Sequence, residues 1–274
     1  MSEVIMKRTI PLLATAAVLA LSLSACGSSG GSTESSTSEQ SGSALQKVKD
    51  AGVLTVGTEG TYRPFSYHEG SDLTGYDVDV IKAVGEKMGV EVKFQETQWD
   101  AIFAGLDAGR FDVIANQVAI NPEREKKYLF SEPYTVSEGV VVTKSDNTDI
   151  TSFDSLKGKK TAQSLTSSFY EAAKAAGATI EPVEGWAQSV TLLKQGRVDA
   201  TVNDKLTFLD SQKTNPDDSI KIAAESADKS ESAVTMRQGS EDLQKAIDDA
   251  LDQLRSDGEL ATISEKYFGE DVSK

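Results

Sequence analysis

The chain has 274 residues, with 28 Lys or Arg against 43 Asp or Glu, and so carries a formal net charge of −15 at pH 7. Such an acidic chain is unsuited to nucleic-acid binding, which depends on neutralising phosphates with basic side chains. A single cysteine and a single histidine exclude a disulfide framework and a multi-histidine metal site. No phosphate-cradling glycine loop is found either, so the sequence predicts no cofactor, metal or catalytic residue.

Residues 1–25 are predicted to be a signal peptide, in which Lys7 and Arg8 precede a short apolar stretch. This stretch ends in "LSAC", the pattern of a lipoprotein cleavage site, which predicts lipidation of Cys26. The alternative is a plain secretory signal with an incidental cysteine. Residues 26–43 are mostly Gly, Ser and Thr and predict a flexible linker with a reach of about 20–25 Å. The body would then lie outside the cell membrane and touch it only through the anchor.

The rest of the chain alternates strand and helix patterns, which indicates an α/β fold with largely parallel sheets. In the first half, strands are expected at 53–57, 90–96 and 111–115, with helices at 76–89 and 99–109. In the second half, helices are expected at 167–178 and 186–196, with strands at 179–184 and 198–202.

Two segments repeat each other without a gap at an offset of 87 residues. "WDAIFAGLDAGRFDVIANQ" (99–117) aligns with "WAQSVTLLKQGRVDATVND" (186–204), and Trp, Leu, Gly, Arg, Asp and Asn recur at matching places. Each copy reads as a helix, a glycine stop and a strand. The repeat predicts two similar lobes.

Each repeated strand ends in a polar pair, and ligands of open α/β sheets bind beyond the carboxyl ends of the strands. If the lobes face each other, Gln117 and Arg124 of the first lobe confront Asp204 of the second. One cation and one anion on opposite walls of a cleft are what a zwitterion such as an α-amino acid requires.

Strand-like segments on either side of the second repeat predict two hinge crossings between the lobes. The C-terminal residues 241–269 read as two helices that complete the first lobe. The predicted organisation is a first lobe of 44–138 and 238–274, a second lobe of 145–231, and hinges at 139–144 and 232–237.

Several motifs of the chain resemble one known family. They are "GTEGTYRPF" (57–65), "GYDVDVIKAVGEKM" (75–88), "NPER" (121–124), "FSEPY" (130–134) and "GRVDATVNDKL" (196–206). Residues 45–274 are similar to family 3 of the bacterial solute-binding proteins, the receptors of ABC importers for polar amino acids. The wording "NQVAINPER" (116–124) and "QSLTSS" (163–168) is most similar to the L-cystine-binding members.

The resemblance implies a two-lobed, periplasmic-binding-protein-like fold of type II with the ligand in the cleft. It also implies a monomeric receptor that delivers a small amino acid to a membrane permease with its ATPase. Arg124 would bind the ligand α-carboxylate in bidentate fashion, and Asp204 would receive the α-ammonium. The remaining residues of the implied site are Glu59, Tyr62, Trp99, Gln117, Ala119, Thr166, Ser167 and Ser168.

These residues have different expected roles. Tyr62 and Trp99 would pack on the ligand side chain, and Glu59 would determine specificity. Asp77 and Asp79, although part of the "GYDVD" motif, are expected only to cap a helix. Three alternatives remain open: a receptor for arginine, lysine or glutamine, a dehydratase-like enzyme on the same scaffold that uses Glu59, and a sensory lipoprotein.

Overall fold

The computed structural model describes residues 42–274. The predicted signal peptide, Cys26 and the linker up to residue 41 lie outside the described residues. The helices are α1 (Ala44–Ala51), α2 (Tyr76–Met88), α3 (Trp99–Asp107), α4 (Pro122–Glu125), α5 (Ser168–Ala175), α6 (Trp186–Lys194), α7 (Lys205–Thr214), α8 (Glu241–Ser256) and α9 (Glu259–Phe268). The strands are β1 (Val53–Thr58), β2 (Thr61–Tyr62), β3 (Ser66–Glu69), β4 (Asp72–Thr74), β5 (Glu91–Glu96), β6 (Val113–Ile114), β7 (Tyr128–Phe130), β8 (Thr135–Lys144), β9 (Lys160–Gln163), β10 (Thr179–Pro182), β11 (Ala200–Asp204), β12 (Ile220–Ser232) and β13 (Thr235–Arg237).

Two five-stranded sheets form the centres of two lobes. The first has the order β5-β1-β6-β13-β7 and the second the order β10-β9-β11-β8-β12. In each sheet three neighbouring strands are parallel, and the fourth is antiparallel to both of its neighbours. A third, small antiparallel sheet, β2-β3-β4, is formed by the part of the first lobe that lies between β1 and α2 in the chain. The predicted two-lobed α/β fold is confirmed.

The internal repeat extends to individual contacts. The Asp112 carboxylate accepts hydrogen bonds from the backbone N–H and the hydroxyl of Thr55, on the neighbouring strand β1. Its counterpart Asp199 accepts one from the backbone N–H of Lys160, on the neighbouring strand β9. The aspartate at the matching position of each repeat therefore binds the backbone of the parallel neighbouring strand in both lobes.

Apolar side chains cover both faces of each sheet. In the first lobe, Tyr76 and Leu251 belong to one buried cluster, and Ile102 and Phe111 belong to another. The second lobe likewise has two clusters, around Leu193 and Phe208 and around Leu156 and Ala173. Among residues 42–274, no helix is both long and apolar enough to cross a membrane.

The two lobes are joined by a long antiparallel pair, β8 and β12, which runs from Lys144 opposite Ile220 to Thr135 opposite Ser232. Residues 139–143, within the predicted first hinge, pair with β11 in the second sheet. The predicted second hinge, 232–237, includes strand β13 of the first sheet. A hinge is defined by motion, so its position stays a prediction.

The expectation that Asp77 and Asp79 only cap a helix is wrong. Helix α2 begins after Gly75, and no side chain caps its N-terminus. Asp77 is 1% exposed, and its carboxylate binds Gln117. Asp79 instead accepts from the Lys266 ammonium and the Tyr267 hydroxyl of helix α9.

Gly75, which precedes α2, should be the least replaceable glycine near Asp77. Its φ of 132° is a conformation that only glycine adopts readily, and an added Cβ would lie 2.2 Å from the carbonyl oxygen of Phe65. We expect Gly75→Ala to cost more than about 3 kcal/mol of unfolding free energy, measured by urea denaturation. The control is Gly89→Ala at the other end of α2, where φ is 68° and no atom lies within 4 Å of the added Cβ. It should cost only about 1–2 kcal/mol, and equal losses in the two variants would contradict the account.

Candidate ligand-binding site

A cavity of about 350 Å³ lies between the two lobes. It is located at the carboxyl ends of β1, β6, β9 and β11, where open α/β sheets bind ligands. The first lobe contributes Glu59, Thr61, Tyr62, Gln98, Trp99, Asn116, Gln117 and Arg124. The second contributes Gln163, Ser164, Ser167, Ser168, Phe169, Glu184, Gly185, Trp186, Ala187, Gln188, Ser189, Val202 and Asn203.

Arg124 is a buried cation in the wall of this cavity. Asn121 caps the short helix α4 by accepting a hydrogen bond from the backbone N–H of Arg124, which fixes the start of its side chain. The guanidinium donates through Nη1 to the carbonyl of Ala119 at 2.8 Å and through Nη2 to the carbonyl of Thr166 at 3.1 Å. The central carbon of the guanidinium, Cζ, lies 5.6 Å from the centre of the Trp99 ring.

The charge of Arg124 has no acidic partner within 4 Å among the described residues. The side chain is 9% exposed, and burial lowers its pKa to about 10, so it remains charged at neutral pH. A buried charge is costly unless it is paired. This guanidinium is therefore suited to binding an anion that enters the cavity.

Glu59 is a carboxylic acid in the same cavity. It follows strand β1, and Asn116 at the end of β6 donates to its Oε2 at 2.7 Å. The Asn116 side-chain oxygen in turn accepts from the backbone N–H of Glu59, which fixes the position of both groups. Burial, opposed by this hydrogen bond and assisted by the charges of Asp100 and Glu184, raises the pKa of Glu59 to about 7. Glu59 is therefore suited to binding a cation.

Gln117 has an unusual conformation, with a φ of 50°. Its backbone N–H donates to Asp77 Oδ2 at 2.7 Å, and its side-chain Nε2 donates to Asp77 Oδ1 at 2.6 Å. Burial is the largest influence on the Asp77 carboxyl and raises its pKa to about 7. Asp77 thus acts as a positioning residue, because it holds the cavity-lining Gln117 in a left-handed conformation.

Aromatic rings line the cavity from both lobes. Tyr62 donates its hydroxyl to Asn203 at 3.0 Å and packs on Phe65, with ring centres 5.1 Å apart. Trp99 is 8% exposed, and its indole N–H has no hydrogen-bond partner among the described residues. Trp186 and Phe169 line the cavity from the opposite side.

The structure brings most of the sequence-predicted site residues together. Those lining the cavity are Glu59, Tyr62, Trp99, Gln117, Arg124, Ser167 and Ser168. Ala119, Thr166 and Asp204 are not among the lining residues. The carbonyls of Ala119 and Thr166 accept hydrogen bonds from the Arg124 guanidinium, so these two residues contact a cavity-lining side chain without lining the cavity themselves.

Asp204 is 5% exposed and caps helix α7. Its Oδ1 accepts hydrogen bonds from the Ser137 hydroxyl and the backbone N–H of Leu206, both at 2.8 Å. Burial raises the pKa of Asp204 to about 6, while these two hydrogen bonds oppose the rise. The carboxyl is therefore mainly ionised at neutral pH. It follows the cavity-lining residues Val202 and Asn203 in the chain.

Side chains of the two lobes are already bonded to each other around the cavity. Asp100 of α3 accepts from both the backbone N–H and the hydroxyl of Thr166, at 3.2 and 2.7 Å. On another segment, Arg63 donates to Asp210 at 3.3 Å. The lobes are therefore in contact through hydrogen-bonded pairs from two separate segments of the first lobe.

Sequence reasoning missed Glu184, Trp186 and Phe169 as cavity-lining residues. Trp186 could have been found, since it is the repeat partner of Trp99 and both tryptophans of the chain line the cavity. Glu184 and Phe169 belong to loop and helix-start segments that carry no motif of their own.

The raised pKa values predict that the unliganded protein loses stability as pH rises from about 5 to about 7.5. Glu59 and Asp77 each have a pKa near 7 in the folded state, against ordinary values of 4.5 and 3.8. The folded state therefore holds these protons more tightly than the unfolded state, and their stabilisation is lost as pH rises through the folded pKa. Glu59→Gln should flatten the decline. Over this pH range the wild type should lose about 1–3 kcal/mol more of its unfolding free energy than the variant does. Thermal unfolding at the two pH values measures this, and identical slopes in the two proteins would contradict it.

A two-lobed α/β protein with a polar cavity at the strand ends between its lobes has the architecture of a small-molecule-binding protein. The sequence profile of the bacterial extracellular solute-binding proteins, family 3, matches residues 54–270. The chain belongs to this family, which is extracytoplasmic.

The relatives and solved structures are consistent with this assignment. The chain is 50% identical over 254 residues to the L-cystine-binding protein TcyA of Bacillus subtilis, covering 92% of this chain and 94% of TcyA. The unliganded, open L-cystine solute receptor of Neisseria gonorrhoeae is 48% identical, with a TM-score of 0.59 over 85% of this chain and 100% of that one.

A more distant protein has the more similar overall structure. The arginine-bound amino-acid transporter-binding protein AbpA of Streptococcus pneumoniae is 26% identical, with a TM-score of 0.75 over 84% of this chain and 100% of that one. The present structure therefore has a higher overall similarity to this arginine-bound distant relative than to the open receptor that is more similar in sequence.

Proposed function

We propose that this chain is the receptor of an ABC importer for L-cystine, which binds the amino acid between its lobes and delivers it to a membrane permease with its ATPase. The observation that carries the proposal is Arg124, a buried cation in the cavity wall with no acidic partner among the described residues. A planar guanidinium binds a carboxylate in bidentate fashion, which gives both affinity and orientation. L-cystine is the proposed ligand because TcyA and the gonococcal receptor, the two relatives most similar in sequence among those compared above, carry that name.

The proposed binding mode assigns a role to each wall. Arg124 binds one α-carboxylate, and Asp204 binds the neighbouring α-ammonium through Oδ2. Ser167 and Ser168, at the start of helix α5, supply further donors to the carboxylate. Tyr62 and Trp99 pack on the disulfide-containing side chain, opposite Trp186.

Ligand binding would be coupled to closure of the lobes. The ligand bridges groups of both lobes, excludes water and shifts the population toward the closed form. The hydrogen bonds between Asp100 and Thr166 and between Arg63 and Asp210 support that form. The closed form is what the permease would recognise.

A cationic amino acid is the second candidate ligand. Glu59 and Glu184 both line the cavity, and either carboxylate suits a lysine or arginine side chain. Among the described residues, no comparable observation favours glutamine, a sensory role or a dehydratase-like activity. The protein is proposed to bind its ligand without transforming it, as a monomer anchored through lipidated Cys26.

Intrinsic fluorescence tests the choice of ligand, because both tryptophans of the chain line the cavity. The protein would be unfolded and refolded to remove copurified ligand and then titrated with cystine, cysteine, glutamine, glutamate, arginine, lysine and histidine. We expect cystine to saturate the signal at the lowest concentration. If arginine or lysine did so, the ligand assignment would change and the Arg124 assignment would stand.

A further inference from the structure

The second lobe carries a polar pair in the cavity that the binding of one amino-acid head does not use. Gln163 ends strand β9, and Glu184 follows the neighbouring parallel strand β10. Their segments are tied together, since the Val183 N–H donates to the Gln163 carbonyl at 3.1 Å and the Ser164 hydroxyl donates to the Glu184 carbonyl at 3.0 Å. Both residues line the cavity.

Gln163 needs a hydrogen-bond acceptor. It is 2% exposed, and its side-chain Nε2 has no partner among residues 42–274. A buried N–H group that is left unpaired costs about 1–3 kcal/mol. Since Gln163 lines the cavity, a ligand oxygen can supply the missing acceptor.

Glu59 and the exposed Glu184 offer two carboxylates to a cation in the cavity. They line the cavity from opposite lobes, and the charge of Glu184 contributes to the raised pKa of Glu59. A ligand ammonium between the two carboxylates would relieve their repulsion.

An amide donor and two carboxylates that line one cavity have the chemistry that a second amino-acid head requires. The two α-carbons of a disulfide-linked cysteine pair lie about 4.4–6.8 Å apart, so a ligand held at one end by Arg124 places its second head only a short distance away. We propose that Gln163, Glu184 and Glu59 form a distal subsite for the second α-carboxylate and α-ammonium of a two-headed amino acid. This inference rests on the proposed function and extends it from one ligand head to both.

Four disulfides of L-cysteine test the subsite by removing one distal group at a time. L-cystine has both groups, the disulfide with cysteamine has only the distal ammonium, that with 3-mercaptopropionate has only the distal carboxylate, and that with ethanethiol has neither. Calorimetric titration of the purified protein at pH 7.5 without free thiol should give cystine the highest affinity. We expect loss of the distal ammonium to weaken binding at least 30-fold and loss of the distal carboxylate about 5- to 30-fold.

Two variants then assign the groups. Glu184→Gln should weaken binding of cystine and the cysteamine disulfide about tenfold or more and leave the other two unchanged. Gln163→Met should weaken binding of cystine and the 3-mercaptopropionate disulfide and leave the other two unchanged. The ethanethiol disulfide thereby reports that each variant is folded, and Glu171→Gln, an exposed acid on α5 away from the cavity, controls for the change in net charge.

The outcomes separate the two proposals. Affinities within threefold of one another for all four ligands, or variants that weaken all four equally, would overturn the distal subsite while leaving cystine binding intact. Absence of binding by all four disulfides would overturn the proposed function itself.

Discussion

Replacing Arg124 with alanine should weaken amino-acid binding by about two to three orders of magnitude. The guanidinium is the cavity's buried cation and has no acidic partner within 4 Å in the described part of the chain, so a ligand carboxylate would be its counter-ion. Truncating one partner of a buried, hydrogen-bonded charge pair costs about 2–5 kcal/mol. Calorimetric titration of variant and wild type measures the difference.

Two further variants sharpen this prediction. Arg124→Lys keeps the charge but loses the fork that holds a carboxylate at two points, so its affinity should lie between those of wild type and alanine variant. Arg110→Ala removes an exposed arginine of the same lobe and should leave affinity unchanged. An Arg124→Ala protein that binds within threefold of wild type would remove Arg124 from the site.

Asp204→Asn should weaken binding at least 30-fold while leaving the protein folded. Asparagine is as good a helix cap as aspartate, and its Oδ1 can still accept from Ser137 and Leu206. The variant loses only the negative charge that an α-ammonium would meet, and removal of a buried carboxylate with a raised pKa should increase stability above pH 7.

Calorimetry and thermal unfolding at pH 8 measure the two effects of Asp204→Asn. The matched control is Asp218→Asn, an exposed acid of the second lobe, which should change neither quantity. Wild-type affinity in the Asp204 variant would show that the ammonium is bound elsewhere, with Glu59 and Glu184 the remaining carboxylates on the cavity wall.

The architecture could be predicted from the sequence because its signals are local. The repeat of 99–117 in 186–204 predicted two lobes with the same helix–strand unit, and in both sheets the repeated strand, β6 or β11, lies between a parallel and an antiparallel neighbour. Arg124 could be selected because Asn121 and Pro122 mark a helix start immediately after a buried strand and its polar pair.

Long-range contacts set the limit of sequence reasoning. Asp77 has the position of an ordinary residue in a helix first turn, and its partner Gln117 is 40 residues away, so only the folded chain shows that it positions the cavity wall. Similarly, Gln163 and Glu184 come together because β9 and β10 are parallel neighbours, and a pattern along one strand cannot show that.

The most direct test of the account is calorimetric titration of L-cystine into the refolded, ligand-free protein. We predict one-to-one binding at micromolar concentration or tighter, which corresponds to about −8 kcal/mol or more negative, and a loss of most of that affinity in Arg124→Ala. Absence of heat with L-cystine, or binding that Arg124→Ala leaves unchanged, would contradict the account.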